Sequence, residues 1–233
     1  MPNLSSQPIT TLPLVEIALQ KMKHSIVACN LKPGAKLKVD MLSKEYGLSS
    51  SPIREALNRL TQEGLVNASE NKGFRVALIT IEDFREICRL RQLLECEALS
   101  EAIDRGDDVW EGNVLAAFHR LNVVEKRIDN GPVALDDDWS ERHKAFHFAL
   151  FAACTSPLLL SMVESLFDRA ERYRRFSAAH RQGERHKSNE HEVLMNTVLS
   201  RDKAKALDLL RGHIEHTKDS VADVLARQNA ILQ

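Results

Sequence analysis

Four of the nine histidines fall where they could share one metal ion. His143 and His147 stand four residues apart, so they project from one side of a helix. Trp139, Phe146, Leu150 and Ala153 occupy nearly the same angular position, which turns that side toward an interior. His191 lies on a stripe with Leu194, Met195 and Val198, and His213 falls beside Leu210, Ile214 and Thr217. A single inward histidine is ordinarily a core residue satisfied by a neighbour. Four from three helices are more economically explained by a common ligand, because neutral imidazole binds zinc, nickel, copper or iron and facing helices of a bundle are a common place to hold them. The other histidines lack this case. His24, His119, His180 and His186 fall off the stripes or in connections, and His216 lies one turn beyond the cluster, solvated or adjacent to it.

A second chemistry belongs to Gly47 to Val66, GLSSSPIREALNRLTQEGLV. Gly47 permits a tight turn, Ser49 to Ser51 offer oxygens to unpaired helix amides, and Pro52 is tolerated in a first helical turn. Ile53, Ala56, Leu57 and Leu60 then recur at helical spacing, leaving Ser50, Ser51, Arg54, Asn58 and Thr61 on or near the opposite side. In a helix-turn-helix, such a side enters the major groove. There arginine bonds the N7 and O6 of guanine while lysines fix the register through phosphates. Arg54 is the first candidate for base or backbone contact, followed by Ser50, Ser51 and Asn58. Lys44 is a phosphate candidate, and Lys72 with Gly73 forms the tip of a wing. The alternative pairs Arg54 with Glu55 or Glu63 on the surface.

Stepping along the chain gives the elements that must position these groups. Residues 1 to 11 are polar with two prolines and read as a mobile arm. Leu14, Ile17, Ala18, Met22, Ser25 and Ile26 keep a helical stripe that ends before the turn LKPG. Lys36 to Val39 lead into a short second helix whose inward residues are Met41, Leu42 and Tyr46. After the stretch from Gly47, the runs Leu65 to Ser69 and Phe74 to Leu78 flank ENKG, where Asn71 and Gly73 are favourable hairpin residues. The expected N-terminal domain, residues 12 to 78, is three helices plus a two-stranded wing. From residue 79 to about 228 only helical periodicity appears, over Thr80 to Arg105, Trp110 to Ile128, Trp139 to Ala153, Leu158 to Phe176, Ser188 to Ser200 and Lys203 to Leu225. The fold expected is mainly α, a winged helix-turn-helix followed by an all-α bundle of about six helices.

Of 233 residues 43% are hydrophobic, enough to bury one or two cores. No apolar run approaches the roughly 20 residues that span a bilayer, and the N-terminus lacks a signal peptide's basic flank and apolar core. A cytoplasmic protein without a membrane partner is expected. Cys29, Cys88, Cys96 and Cys154 form no CxxC pair and read as buried free thiols. Up to Leu78 there are 10 Lys and Arg against 6 Asp and Glu, a net of +4, whereas the remainder has 22 against 27, a net of -5. The basic part suits phosphate contact, and the acidic part suits other cargo.

The run LKPGAKL, then LSKEYGLSSSPIREALNRLTQEGLV, then NKGFRV resembles the N-terminal domain of the GntR family of bacterial transcription regulators, with the patterns PGxxL, SRTPVREAL, RLxxEGLV and RGxxV. Two departures stand out. Ser50 occupies the place of a commonly DNA-contacting arginine, and Lys38, Val39 and Asp40 differ from the usual residues before the second helix. The operator preference is therefore expected to differ. The C-terminal part resembles the FCD ligand-binding domain of the FadR branch. Its metal-binding members carry Asp-x-x-x-His on one helix, a histidine in an EH pair, and a histidine late in the last long helix. By that resemblance His147 of HKAFH, His191 of NEHEVL and His213 of LRGHIEH are ligands, and His143 stands where aspartate is usual. The exchange keeps a ligand atom but removes a charge, which places zinc or nickel ahead of manganese. Arg91 in RLRQLLE matches an arginine that the family often directs at this pocket, where a guanidinium could take a carboxylate with two parallel bonds. The resemblance thus implies a small carboxylate effector, while the other reading pairs Arg91 with Glu95 along its helix. Arg172, Arg174 and Arg175 are weaker effector candidates, since a run such as RAERYRR is usually a solvated face.

The function implied is a metabolite-responsive repressor acting as a homodimer on double-stranded operator DNA, with operator affinity modulated at the metal-containing pocket. The alternatives are a regulator whose metal is purely structural and a metal-dependent hydrolase. Against the enzyme, the chain has no HExxH, no GxSxG, no Gly-rich phosphate loop and no evident general base beside the ligands.

Overall fold

The computed structural model describes residues 12–69, 73–127, 135–180 and 189–231. The arm at 1–11, Asn71, Lys72 and His186 lie outside these. The elements run α1 (Leu14–Val27), β1 (Lys36–Leu37), α2 (Val39–Tyr46), α3 (Ser50–Gln62), β2 (Val66–Ser69), β3 (Gly73–Val76), α4 (Ile81–Arg105), α5 (Asp108–Arg127), α6 (Asp137–Phe151), α7 (Pro157–His180), α8 (Glu190–Leu199) and α9 (Lys203–Ile231). They gather into two compact units. One runs through Ile26 and then from Asn30 to Leu78; the other takes Val27–Cys29 and the chain from Ile79 onward.

In the first unit, Gly47 ends α2 in the left-handed conformation at φ 67°, with its N–H and that of Leu48 both donated to the Ser43 carbonyl. This turn, which a β-carbon would disfavour, aims α3. Ser49 caps α3 by backbone position only, because its side chain makes no capping bond. Pro52, Ile53, Ala56, Leu57 and Leu60 of α3 are buried, as are Ala18, Leu19, Met22 and Ile26 of α1 and Leu42 of α2, and α3 packs on α2. Each large aliphatic side chain in this set contributes about 1.5–3 kcal/mol by leaving water.

The wing differs from the expected two strands. Lys36 and Leu37, read as the approach to α2, form a third strand in the order β1-β3-β2, with Lys36 opposite Arg75 and Leu37 opposite Phe74. The cause is the LKPG turn. Gly34 at φ 76° donates to the Val76 carbonyl at 3.0 Å and Ala35 accepts from Val76 at 2.9 Å, which delivers the next two residues to the edge of β3.

The second unit is all helical. Thr80 caps α4 by accepting from the Asp83 amide at 3.2 Å, and Asp136 caps α6 by accepting from that of Trp139 at 2.8 Å. α4 packs on α9 and α7, α5 on α6 and α8, and α8 on α9. Their shared core includes Phe84, Leu99, Val114, Leu121, Trp139, Phe146, Leu194 and Leu210. Among the described residues no helix is long and apolar enough to cross a membrane.

Candidate metal centre and nucleic-acid face

The core of the second unit brings the four histidines together. α6 carries His143 and His147 one turn apart, α8 supplies His191 and α9 supplies His213, and all four are buried. One nitrogen from each lies within 4.8 Å of the others. The rings of His143 and His147 are 4.6 Å apart, those of His191 and His213 5.0 Å. Trp139 stacks on His143 at 4.5 Å, and Phe167 approaches both histidines of α6. His147 Nδ1 and His191 Nε2 are buried without a hydrogen-bond partner among the described residues. Unpaired buried nitrogens cost free energy unless something receives them, so the donor set fits a divalent ion.

Burial disfavours the charged form of three of these imidazoles, His143, His147 and His213. It holds His143 and His147 well below the ordinary histidine range, aided by Arg174 at His143 and by the neighbouring histidines at both. His213 is lowered to about 4, burial outweighing the opposing pull of Glu190. Neutral imidazole is the ligating form.

Two glutamates that the sequence did not single out as partners set the outer side of the cluster. His191 Nδ1 lies 3.2 Å from Glu125 of α5, and His213 Nδ1 lies 2.8 Å from Glu190. A carboxylate accepts, so by the hydrogen-bond network these rings carry their proton on Nδ1 and keep the Nε2 lone pair available. Such an outer carboxylate is the usual support of a metal-ligating histidine. Glu190 also receives exposed His216 at 2.9 Å. His143 is different: its Nδ1 is 3.0 Å from the Arg174 guanidinium and its Nε2 3.2 Å from His147 Nε2. A guanidinium only donates, so this ring carries its proton on Nε2.

The arginines also depart from expectation. RAERYRR is not a solvated face: Glu171, Arg172, Tyr173 and Arg174 are buried, because Tyr173 stacks on Phe84 at 4.6 Å and turns this part of α7 into the core. Arg91 pairs with Glu95 as the second reading had it, but inside the core, through bonds of 2.6 and 3.3 Å. A buried pair of this kind is expensive to break, unlike an exposed one. Arg91 and Arg174 both lie against the Phe167 ring, at 5.0 and 4.6 Å.

In the first unit, Ser50, Ser51, Arg54 and Asn58 are exposed on one side of α3, opposite its buried stripe, and Lys44 is exposed on α2. Arg54 has no ion pair with Glu55 or Glu63. Glu63 pairs instead with Lys23 at 3.0 Å, and it is Arg59 that is tied down, by Glu16 at 3.0 Å. Gly73, at φ 74°, opens β3 opposite Ser69.

A three-helix unit with a small antiparallel wing, joined in one chain to a helical bundle, is the architecture of a winged-helix DNA-binding unit with a separate helical domain. The chain matches the gntR family of bacterial regulatory proteins over residues 14–76 and the FCD domain over residues 86–216. It is 39% identical over 197 residues to the HTH-type transcriptional repressor GlaR of Escherichia coli (strain K12), covering 83% of this chain and 89% of that protein. With the "uncharacterized HTH-type transcriptional regulator BphR" of Paraburkholderia xenovorans (strain LB400) it shares 35% over 202 residues, 87% of this chain and 82% of the relative. Among solved structures, Escherichia coli McbR/YncC superposes with a TM-score of 0.70 at 20% identity over 94% of this chain and 100% of that one. A GntR family member from Pseudomonas syringae pv. tomato str. DC3000 gives 0.56 at 24% identity, over 98% and 92%. The chain belongs to the GntR family, with an FCD domain, and is a DNA-binding transcriptional regulator and not an enzyme.

Proposed function

We propose that the protein is a metabolite-responsive repressor that binds operator DNA as a homodimer and reads a small carboxylate at a metal centre formed by His143, His147, His191 and His213. The observation that carries this reading is the convergence of four buried imidazoles from α6, α8 and α9. Zinc or nickel suits an all-imidazole set, and the bound ion would supply Lewis acidity for an anionic oxygen. The protein ligands bring no charge of their own, which favours an anionic effector.

Arg174, buried 2.7 Å from Glu171 and 3.0 Å from His143 Nδ1, would join Arg91 in receiving that effector. Taking a carboxylate with its guanidinium releases His143 Nδ1, which can then hold the ring proton and turn the Nε2 lone pair to the cluster. Arg91, fixed by Glu95, adds positive charge against the same Phe167 ring. A groove of about 470 Å³ between α8 and α9, lined in part by Glu190, Gly212, His213 and His216, gives a route from solvent to His213.

On α3, Arg54 contacts bases or backbone with Ser50, Ser51 and Asn58 beside it. Lys44 and the wing tip at Lys72 and Gly73 fix the register on phosphates. The nearly complete burial of the four histidines favours a second reading, an ion that only rigidifies the bundle. Calorimetric titration of small carboxylic acids into zinc-loaded and chelated protein separates the two. Effector binding that requires the metal supports sensing; binding or silence that is indifferent to the metal rejects it.

A further inference from the structure

Three polar groups form a graded series from solvent to the histidine cluster. The side chain of His216 is 72% exposed, that of Glu190 36% and that of His213 7%. Glu190 joins the other two, accepting from His216 Nδ1 on one carboxylate oxygen at 2.9 Å and from His213 Nδ1 on the other at 2.8 Å. All three line the groove between α8 and α9, whose other ionic groups are Asp202, Asp208 and Lys205. Three carboxylates against one ammonium make this groove attractive to a cation and repellent to an anion. A second groove, of about 380 Å³ between α4 and α9, is lined by none of the four clustered histidines. Gly212 adds an independent observation. It lies in the interior of α9, where glycine is the poorest helix former after proline. A β-carbon there would meet no atom within 4 Å, so close packing does not demand glycine. What the missing side chain keeps is space, because Gly212 lines the same groove one residue before His213.

We propose that this groove is the passage by which the metal ion enters and leaves the buried cluster, with His216 and Glu190 as a transit site outside the four ligands. The inference rests on the reading of the cluster as a metal centre and assigns entry to that centre to particular residues. The two donors suit a brief stop. His216, with its Nδ1 proton donated to Glu190, keeps an Nε2 lone pair, and the carboxylate has lone pairs beyond the two bonds it accepts. Imidazole and carboxylate are ligands for the same ions as the inner set, but they are two donors against four, so the ion moves inward. Because Glu190 touches both His216 and His213, an ion on its carboxylate is already beside a ligand of the inner site. A group that meets the ion only in transit changes uptake and release by one common factor and leaves the equilibrium alone.

Stopped-flow absorbance measures this as zinc uptake by metal-stripped full-length protein and zinc release from the loaded protein to a chromophoric chelator. His216→Ala is expected to slow both by on the order of tenfold, with the zinc dissociation constant within about threefold of wild type. Gly212→Leu, which fills the groove and replaces a poor helix former by a good one, slows both as well, while circular dichroism shows helicity retained. Unchanged rates in His216→Ala overturn the transit site, and unchanged rates in Gly212→Leu overturn the groove as the path. A weaker dissociation constant in His216→Ala that arises from faster release alone also overturns the transit site, because it makes His216 a support for Glu190 and nothing more. A wild type that takes up no zinc at equilibrium overturns the metal reading itself, and the passage with it.

Discussion

On α3 the functional side chains stand outside and the core lies behind them; on α6 they occupy the core face itself. Arg54 is exposed, with no ion pair to either nearby glutamate, and the stripe from Ile53 to Leu60 would hold the helix in place without it. His147 is fully buried, packed on Phe146 and Phe167, and held among three other imidazoles. Under the proposed function, reading DNA and sensing a ligand would thus use amphipathic helices in opposite senses. In the first case function and stability separate, and in the second they share the same atoms.

That contrast can be broken at His147. His147→Ala removes an inward ligand, so the purified protein is expected to lose stoichiometric zinc or nickel by elemental analysis and to unfold differently. An unaltered metal content would remove His147 from the site. Arg54→Ala, the corresponding change outside, is expected to weaken operator binding by about 1–3 kcal/mol, roughly 5- to 150-fold. Because the residue is exposed, stability should stay within about 0.5 kcal/mol. Retained operator affinity in a gel-retardation assay would show that α3 is read elsewhere.

Two smaller effects sharpen the comparison. Glu190→Ala takes the carboxylate from His213 without touching a ligand atom, and a chelator competition should show a 10- to 100-fold loss of metal affinity. Its counterpart, Lys44→Ala, should weaken binding uniformly across operator sequences and lower the slope of log affinity against log salt by about 1.

Acid acts on the buried histidine cluster. His213, like His143 and His147, has a folded-state pKa below its unfolded value, so the unfolded chain binds more protons as the pH falls from about 6.5. Stability of the helical domain is therefore full above that pH and declines toward pH 4, where His213 itself charges. Urea midpoints at pH 7.5 and 5 measure this, and a higher midpoint at pH 5 would contradict the assigned sign.

How much of this was visible in the sequence depended on the range of the interaction. The stripes of α3 and α6 and the spacing of His143 and His147 are local patterns, and the structure places them as their periods require. The strand at Lys36 and Leu37 is two residues long and exists only because Gly34 and Val76 meet, so no local pattern marks it. Arg172 and Arg174 read as solvated by composition, yet α7 buries them through Tyr173 and Phe84, 89 positions apart in the chain. Glu125 is 66 positions from His191, and Glu190 showed only as the first letter of an EH pair. Charged residues in a core can be recognised from their partners, and partners at such separations are what a single sequence conceals.

Under the proposed function the buried site and the DNA face are energetically linked. Once calorimetry has identified a metal-dependent carboxylate ligand, its dissociation constant should be measured on metal-loaded protein with and without saturating operator DNA. Linkage requires the operator to weaken effector binding by the same factor by which the effector weakens operator binding, typically 5- to 150-fold. Equal effector affinity in the two conditions would contradict it.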